Sequence, residues 1–151
     1  MDKIKVYLDN CTYNRPFDDQ KQLRISLETQ AKLYIQSLIV NKEIDLIWSY
    51  ICEYENYNNP FENKKLSIAK FSENAKYSMI ENRNILLTAN KLMQSGIKPI
   101  DSLHLSCAIN GGVDYFITTD DPLLRHKNEG IKIVDPITFI RIWENIGGED
   151  D

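Results

Sequence analysis

Short, apolar, β-rich runs alternate along this chain with stretches of helical periodicity, and few architectures accommodate that order. Ile4 to Leu8 ends in Asp9-Asn10, as a buried strand does where it enters a turn. NRPFDDQKQ reads as loop, and from Leu23 to Val40 apolar residues recur at helical spacing. Glu43 to Ser49 gives a second strand, with Ser49 the expected N-cap of a helix starting near Tyr50. Pro60 interrupts that helix, and the charged run from Phe61 to about Met79 is expected to restart it as the second arm of a surface helical hairpin. Asn84 precedes a helix from Ile85 to Gln94 that Gly96 ends, and IDSLHLSCAI is a further helix closing at Gly111-Gly112. DYFITTDD is a short strand, Asp121-Pro122 starts a short helix, Ile131 to Val134 is a last strand, and Pro136 opens a terminal helix ending near Ile146-Gly147-Gly148. Strands separated by helices return in parallel, so the expected fold is α/β: a three-layer α/β/α arrangement around a mostly parallel sheet of about four or five strands.

The 151 residues suit one domain, taken as 1–151. No run approaches the ~18 apolar residues of a spanning helix, and MDKIKVYLDN lacks an apolar signal core, so no membrane and a cytoplasmic location are expected. Three cysteines, Cys11, Cys52 and Cys107, form no CxxC pair and are expected to be reduced and mostly buried. A net charge of −4 argues against broad adhesion to nucleic acid, though it leaves room for a local basic rim.

In a parallel α/β sheet, the C-terminal ends of strands and the N-terminal ends of helices share one edge, where ligands bind. Asp9 and Asp120 end strands, Glu55 lies early in the helix after the second strand, and Asp101 opens the helix before the strand of Asp120. All four map to that edge. Any single acid there is most simply a surface or capping residue, but four that converge repel one another unless cations or hydrogen bonds compensate. An all-oxygen set favours Mg²⁺ or Mn²⁺, and since His104 and His126 form no paired motif, no histidine ligand is expected. A pair of such ions about 3.5–4 Å apart hydrolyses phosphodiesters without a nucleophilic side chain. Asp9 and Asp120 are the primary candidate ligands, Asp101 a ligand direct or through water, and Glu55 a ligand or the orienter of the attacking water.

Together KVYLDN with Asp9, SYICEYENYNNP with Glu55, IDSLHLSCA with Asp101 and VDYFITTDD with Thr118 and Asp120 resemble the PIN-domain family, which includes VapC-type ribonuclease toxins of toxin–antitoxin pairs. That resemblance spans nearly the whole chain. It implies a PIN-like fold, Mg²⁺ or Mn²⁺, cleavage of RNA, frequent homodimers and an antitoxin protein as a partner. Glu53 competes with Glu55, but the two point about 200° apart on a helix, and Glu55 shares a face with Ile51. Asp121 rivals Asp120, yet Thr118-Thr119-Asp120 resembles the family's Thr-x-Asp pattern, whose hydroxyl helps arrange the acids; Asp121 is then the cap of the short helix. Asn10, Arg15 and Thr118 are the candidate substrate-side residues, with Arg24 a weaker phosphate contact. His104, one turn after Asp101, reads as a packed core residue, and Tyr50, Tyr54 and Tyr57 as core or interface aromatics that are also able to stack bases. The alternative function is a catalytically idle PIN-like domain that binds protein or RNA. A phosphatase would need a DxD pair, which Asp9-Asn10-Cys11 lacks, and a phospho-receiver adjacent acids after its first strand.

Overall fold

The computed structural model describes residues 3–14, 19–127 and 130–150. Five parallel strands form one sheet: β1 (Lys5–Leu8), β2 (Asp45–Ser49), β3 (Tyr77–Met79), β4 (Tyr115–Ile117) and β5 (Lys132–Val134), in the order β3-β2-β1-β4-β5. Val6, Tyr7 and Leu8 of the central strand are fully buried, which is why β1 is continuously apolar. The α/β expectation of four or five strands is met.

The helices are α1 (Asn10–Asn14), α2 (Leu23–Val40), α3 (Tyr50–Tyr57), α4 (Glu62–Ser72), α5 (Arg83–Gln94), α6 (Pro99–Asn110), α7 (Asp121–Arg125) and α8 (Pro136–Asp150). The order of strands steps one way from β1 through β3 and the other way to β4. Right-handed crossovers then put α2 on one face and α5 and α6 on the other, and α8 packs beside α2. Ile35, Leu38 and Ile39 of α2 and Leu105, Cys107 and Ala108 of α6 complete the core against Leu46, Ile47, Phe116 and Ile117. Fully burying a side chain such as Leu, Ile or Phe is worth roughly 1.5–3 kcal/mol, so the sheet and these two helices hold most of the stability. Among the described residues no helix is long and apolar enough to cross a membrane. All three cysteines are free, with Cys52 and Cys107 buried.

Four local expectations are corrected. The segment 61–79 is not helical to its end: α4 stops at Ser72, and Tyr77–Met79 forms edge strand β3 alongside β2. Asn10, expected to enter a turn, begins the short helix α1, which takes in Asn14 at the start of the expected loop. Asn82, rather than Asn84, caps α5, its side chain accepting a hydrogen bond from Ile85 N at 2.9 Å. The terminal helix continues through the glycines to Asp150.

Candidate active site

β1 and β4 are neighbours, so the residues that follow them meet: Asp9 N donates to the carbonyl of Ile117 at 2.9 Å. Thr118, fully buried, links the two acids here. Its hydroxyl donates to Asp9 Oδ2 at 2.8 Å and accepts from Asp120 N at 3.1 Å. Asp9 Oδ1 takes a further bond from Asn10 N at 2.8 Å. Thus the Asp9 carboxylate is fixed on both oxygens. Because no part of it reaches the surface, Thr118 is placed as a support for the acids and not as a contact for a substrate.

Ser49 ends β2 and caps α3 by accepting from Cys52 N at 3.2 Å, which aims the helix into the same edge. Of the two competing glutamates, Glu53 turns away to accept the indole N–H of Trp48 at 3.0 Å, while Glu55 faces Asp9 and His104. Asp101 lies in the first turn of α6 and shares a cavity of about 300 Å³ with Asp120, Lys98, Arg125 and His126. Its carboxyl is pushed up by burial and then by the charges of Asp9, Asp120 and Glu55, with His104 opposing. One carboxyl therefore feels the other three: the four predicted acids stand together at one edge.

His104 is the residue the sequence reading left out of this set. It is 1% exposed, as a core histidine would be, yet Nε2 is hydrogen-bonded to Glu55 and lies 4.0 Å from Asp9 Oδ1. Burial alone pushes its imidazole down, but hydrogen bonds to Cys52 and Glu55 and the charge of Asp9 outweigh this and carry it up to about 10. A protonated ring donates from both nitrogens, Nδ1 to the Tyr7 hydroxyl at 2.6 Å, which in turn meets Ser49 Oγ at 2.6 Å. The ring thus supplies a positive charge among the acids and a rigid link to the centre of the sheet. Candidate donor atoms of Asp9, Glu55 and His104 lie within 4.8 Å of one another, so His104 stands inside the cluster, while a ring protonated on both nitrogens offers no lone pair to a cation and serves as a partner of the acids. Asp101 and His104 are three apart on a helix and share a face, a spacing that by itself does not separate a core histidine from a partner of the acids.

The remaining candidates separate. Asn10 borders the acids, lining a groove with Glu55. Arg15 lies outside the described residues. Arg24 is engaged elsewhere, bound to Asp121 at 2.8 and 3.0 Å and to the carbonyl of Thr119 at 3.0 Å, where it clamps α2 to the start of α7. The cap of α7 is Asp120 rather than Asp121, accepting from Leu123 N at 3.2 Å. Asp45 pairs with Lys76 at 3.4 Å, and Asp114 accepts from Lys5 N at 2.8 Å, both structural contacts. Tyr54 and Tyr57 are 59% and 73% exposed, so neither packs in the core.

The donor set suits a hard divalent cation: carboxylate oxygens predominate, and an acid raised by its neighbours gains when a cation replaces the proton. No protein-family model matches the sequence, and no curated protein matches it either. Among solved structures, the chain resembles one in the crystal structure of VapBC2 from Rickettsia felis bound to a DNA fragment from their promoter. The TM-score is 0.57 and the identity 15%, over 86% of this chain and 97% of that one. That likeness shows the fold, a PIN-like α/β arrangement.

Proposed function

We propose that this chain is a divalent-metal-dependent endoribonuclease that hydrolyses RNA phosphodiester bonds, acting as the toxin of a toxin–antitoxin pair. One observation carries the proposal: carboxylates from four separate elements converge at the strand-end edge, where burial and the charges of Asp9, Asp120 and Glu55 disfavour the ionised form of Asp101 in the absence of a cation. Asp9, Asp101, Asp120 and Glu55 would hold Mg²⁺ or Mn²⁺. When bound, such a cation supplies Lewis-acid activation of water and neutralises charge on the phosphate. The chain's own groups do the positioning. Thr118 keeps Asp9 and Asp120 in register, and His104 holds Glu55 against the sheet. Lys98, Arg125 and His126, on the wall of the cavity that holds Asp101 and Asp120, receive phosphates of the substrate strand. Asn10 borders the substrate on the Glu55 side.

The test incubates total RNA with the protein and millimolar Mn²⁺ or Mg²⁺, then sequences the new ends. Cleavage that EDTA stops and Asp120→Asn abolishes is the expected result. Absence of cleavage with either metal, together with no metal-induced rise in melting temperature, would sink the reading and favour an idle binding module. An antitoxin protein and a homodimer accompany the proposal, and co-purification from the source cell and light scattering measure each directly.

A further inference from the structure

The second wall of the acidic cluster differs from the first. Beside Glu55 and Asn10 a groove of about 340 Å³ runs along the α3–α4 hairpin, lined by Asn58, Asn59, Phe61 and Lys64. The volume lies within the range of small-ligand pockets, roughly 300–1,000 Å³. Phe61 is 58% exposed at the start of α4, with no core to pack against and with the Lys64 ammonium 4.3 Å from its ring centroid. Across the hairpin Lys65 sits 4.7 Å from the ring centroid of exposed Tyr57. One aromatic ring with a lysine therefore stands in the groove beside Glu55, and a second such pair lies on the same hairpin. Asn59 Oδ1 accepts from Phe61 N at 3.1 Å and Asn58 Nδ2 donates to Tyr54 O at 2.9 Å, which turns an amide donor of Asn59 and a carbonyl acceptor of Asn58 to other uses. At the start of α4, Lys64 and Lys65 follow the single acid Glu62, in a chain whose net charge is −4.

We propose that this groove is a subsite for an unpaired nucleotide adjoining the scissile phosphate, with its base on Phe61, its polar edge at Asn58 and Asn59, and its phosphate at Lys64. The inference rests on the nuclease reading and assigns one nucleotide of its RNA to this groove. Exposed rings stack on any unpaired base, whereas bases inside a duplex present no face to them. The lysines supply the local positive rim that an acidic protein needs in order to bring a polyanion to carboxylates.

The experiment measures binding and cleavage separately. Fluorescence anisotropy of an unstructured, labelled RNA oligonucleotide is read on the Asp101→Asn protein, with and without Phe61→Ala, Phe61→Tyr or Lys64→Ala; KM and kcat are read in the Asp101 background with Mn²⁺. Phe61→Ala should weaken binding and raise KM about tenfold with little change in kcat, and Phe61→Tyr should restore both. Lys64→Ala should lower the slope of log affinity against log salt by about 0.7. Phe61→Ala that binds and cleaves as the parent does, or equal binding of the same sequence as a duplex, overturns the subsite while leaving the nuclease reading intact. RNA that binds through Phe61 but is never cleaved preserves the subsite and removes the nuclease. Melting temperatures of the variants exclude a folding defect.

Discussion

Asp101 carries most of the strain of assembling the site, because its carboxyl is raised by burial and by three neighbouring acids. A carboxyl whose folded pKa lies above its unfolded one destabilises the fold increasingly as pH rises through the interval between them, and fully above it. Asp101→Asn removes that penalty, so in EDTA the variant should be as stable as the parent or more so at pH 7, with the difference vanishing below the ordinary carboxylate range. Urea denaturation at both pH values checks it, and the same variant should lose cleavage. Lys32 makes an opposite case. It is 4% exposed, over the rings of Tyr13 and Phe71, and burial pushes its amine down to about 8. The unfolded chain then binds more protons between about pH 8 and the ordinary lysine value, so the parent gains stability as pH rises through that window. Lys32→Met should be more stable at pH 7, by about 1–3 kcal/mol, and should lose that rise. Asp9, Asp101 and Asp120 were legible in the sequence since strand and helix ends announce their edge; His104 was not, since burial among apolar neighbours looks the same for a core residue and for a buried partner of an acid.

At the level of elements, the caps decide where helices begin. Asn82 accepts from Ile85 N, so Asn82→Ala should cost about 1 kcal/mol in chemical denaturation while Asn84→Ala, at an exposed position inside the helix, costs a few tenths or less. Equal effects would put the start of α5 elsewhere. Long helices and the buried strands β1, β2 and β4 could be read from periodicity and apolar runs. β3 could not: its three residues, Tyr-Ser-Met, form a partly exposed edge strand directly after a helix whose charged sequence continues the helical spacing. Its assignment depends on Lys76 N donating to Leu46 O at 2.8 Å, a contact 30 residues away in sequence that no local window contains. Ser49, by contrast, was legible as a cap, and the structure adds that it also anchors the hydroxyl of Tyr7.

For the molecule as a whole, a cation that binds only the assembled cluster should stabilise the fold by linkage. At Mn²⁺ concentrations about 100 times the dissociation constant the gain is about 2.7 kcal/mol, roughly 5–10 °C in melting temperature for a chain of this size. The shift should shrink as pH is lowered and protons compete for Asp101, and thermal scans across Mn²⁺ and pH measure it. No rise at any concentration would mean that the acids do not bind the metal. Topology adds a temporal condition. The Thr118 hydroxyl reaches Asp9 across 109 positions of chain, and β4 docks directly on β1 although β2 and β3 come between them in the sequence. During synthesis Asp9 emerges well before Asp120, so the growing polypeptide cannot gather its acids until β4 has been made. A nascent copy that lacks β4 therefore has no assembled acid cluster.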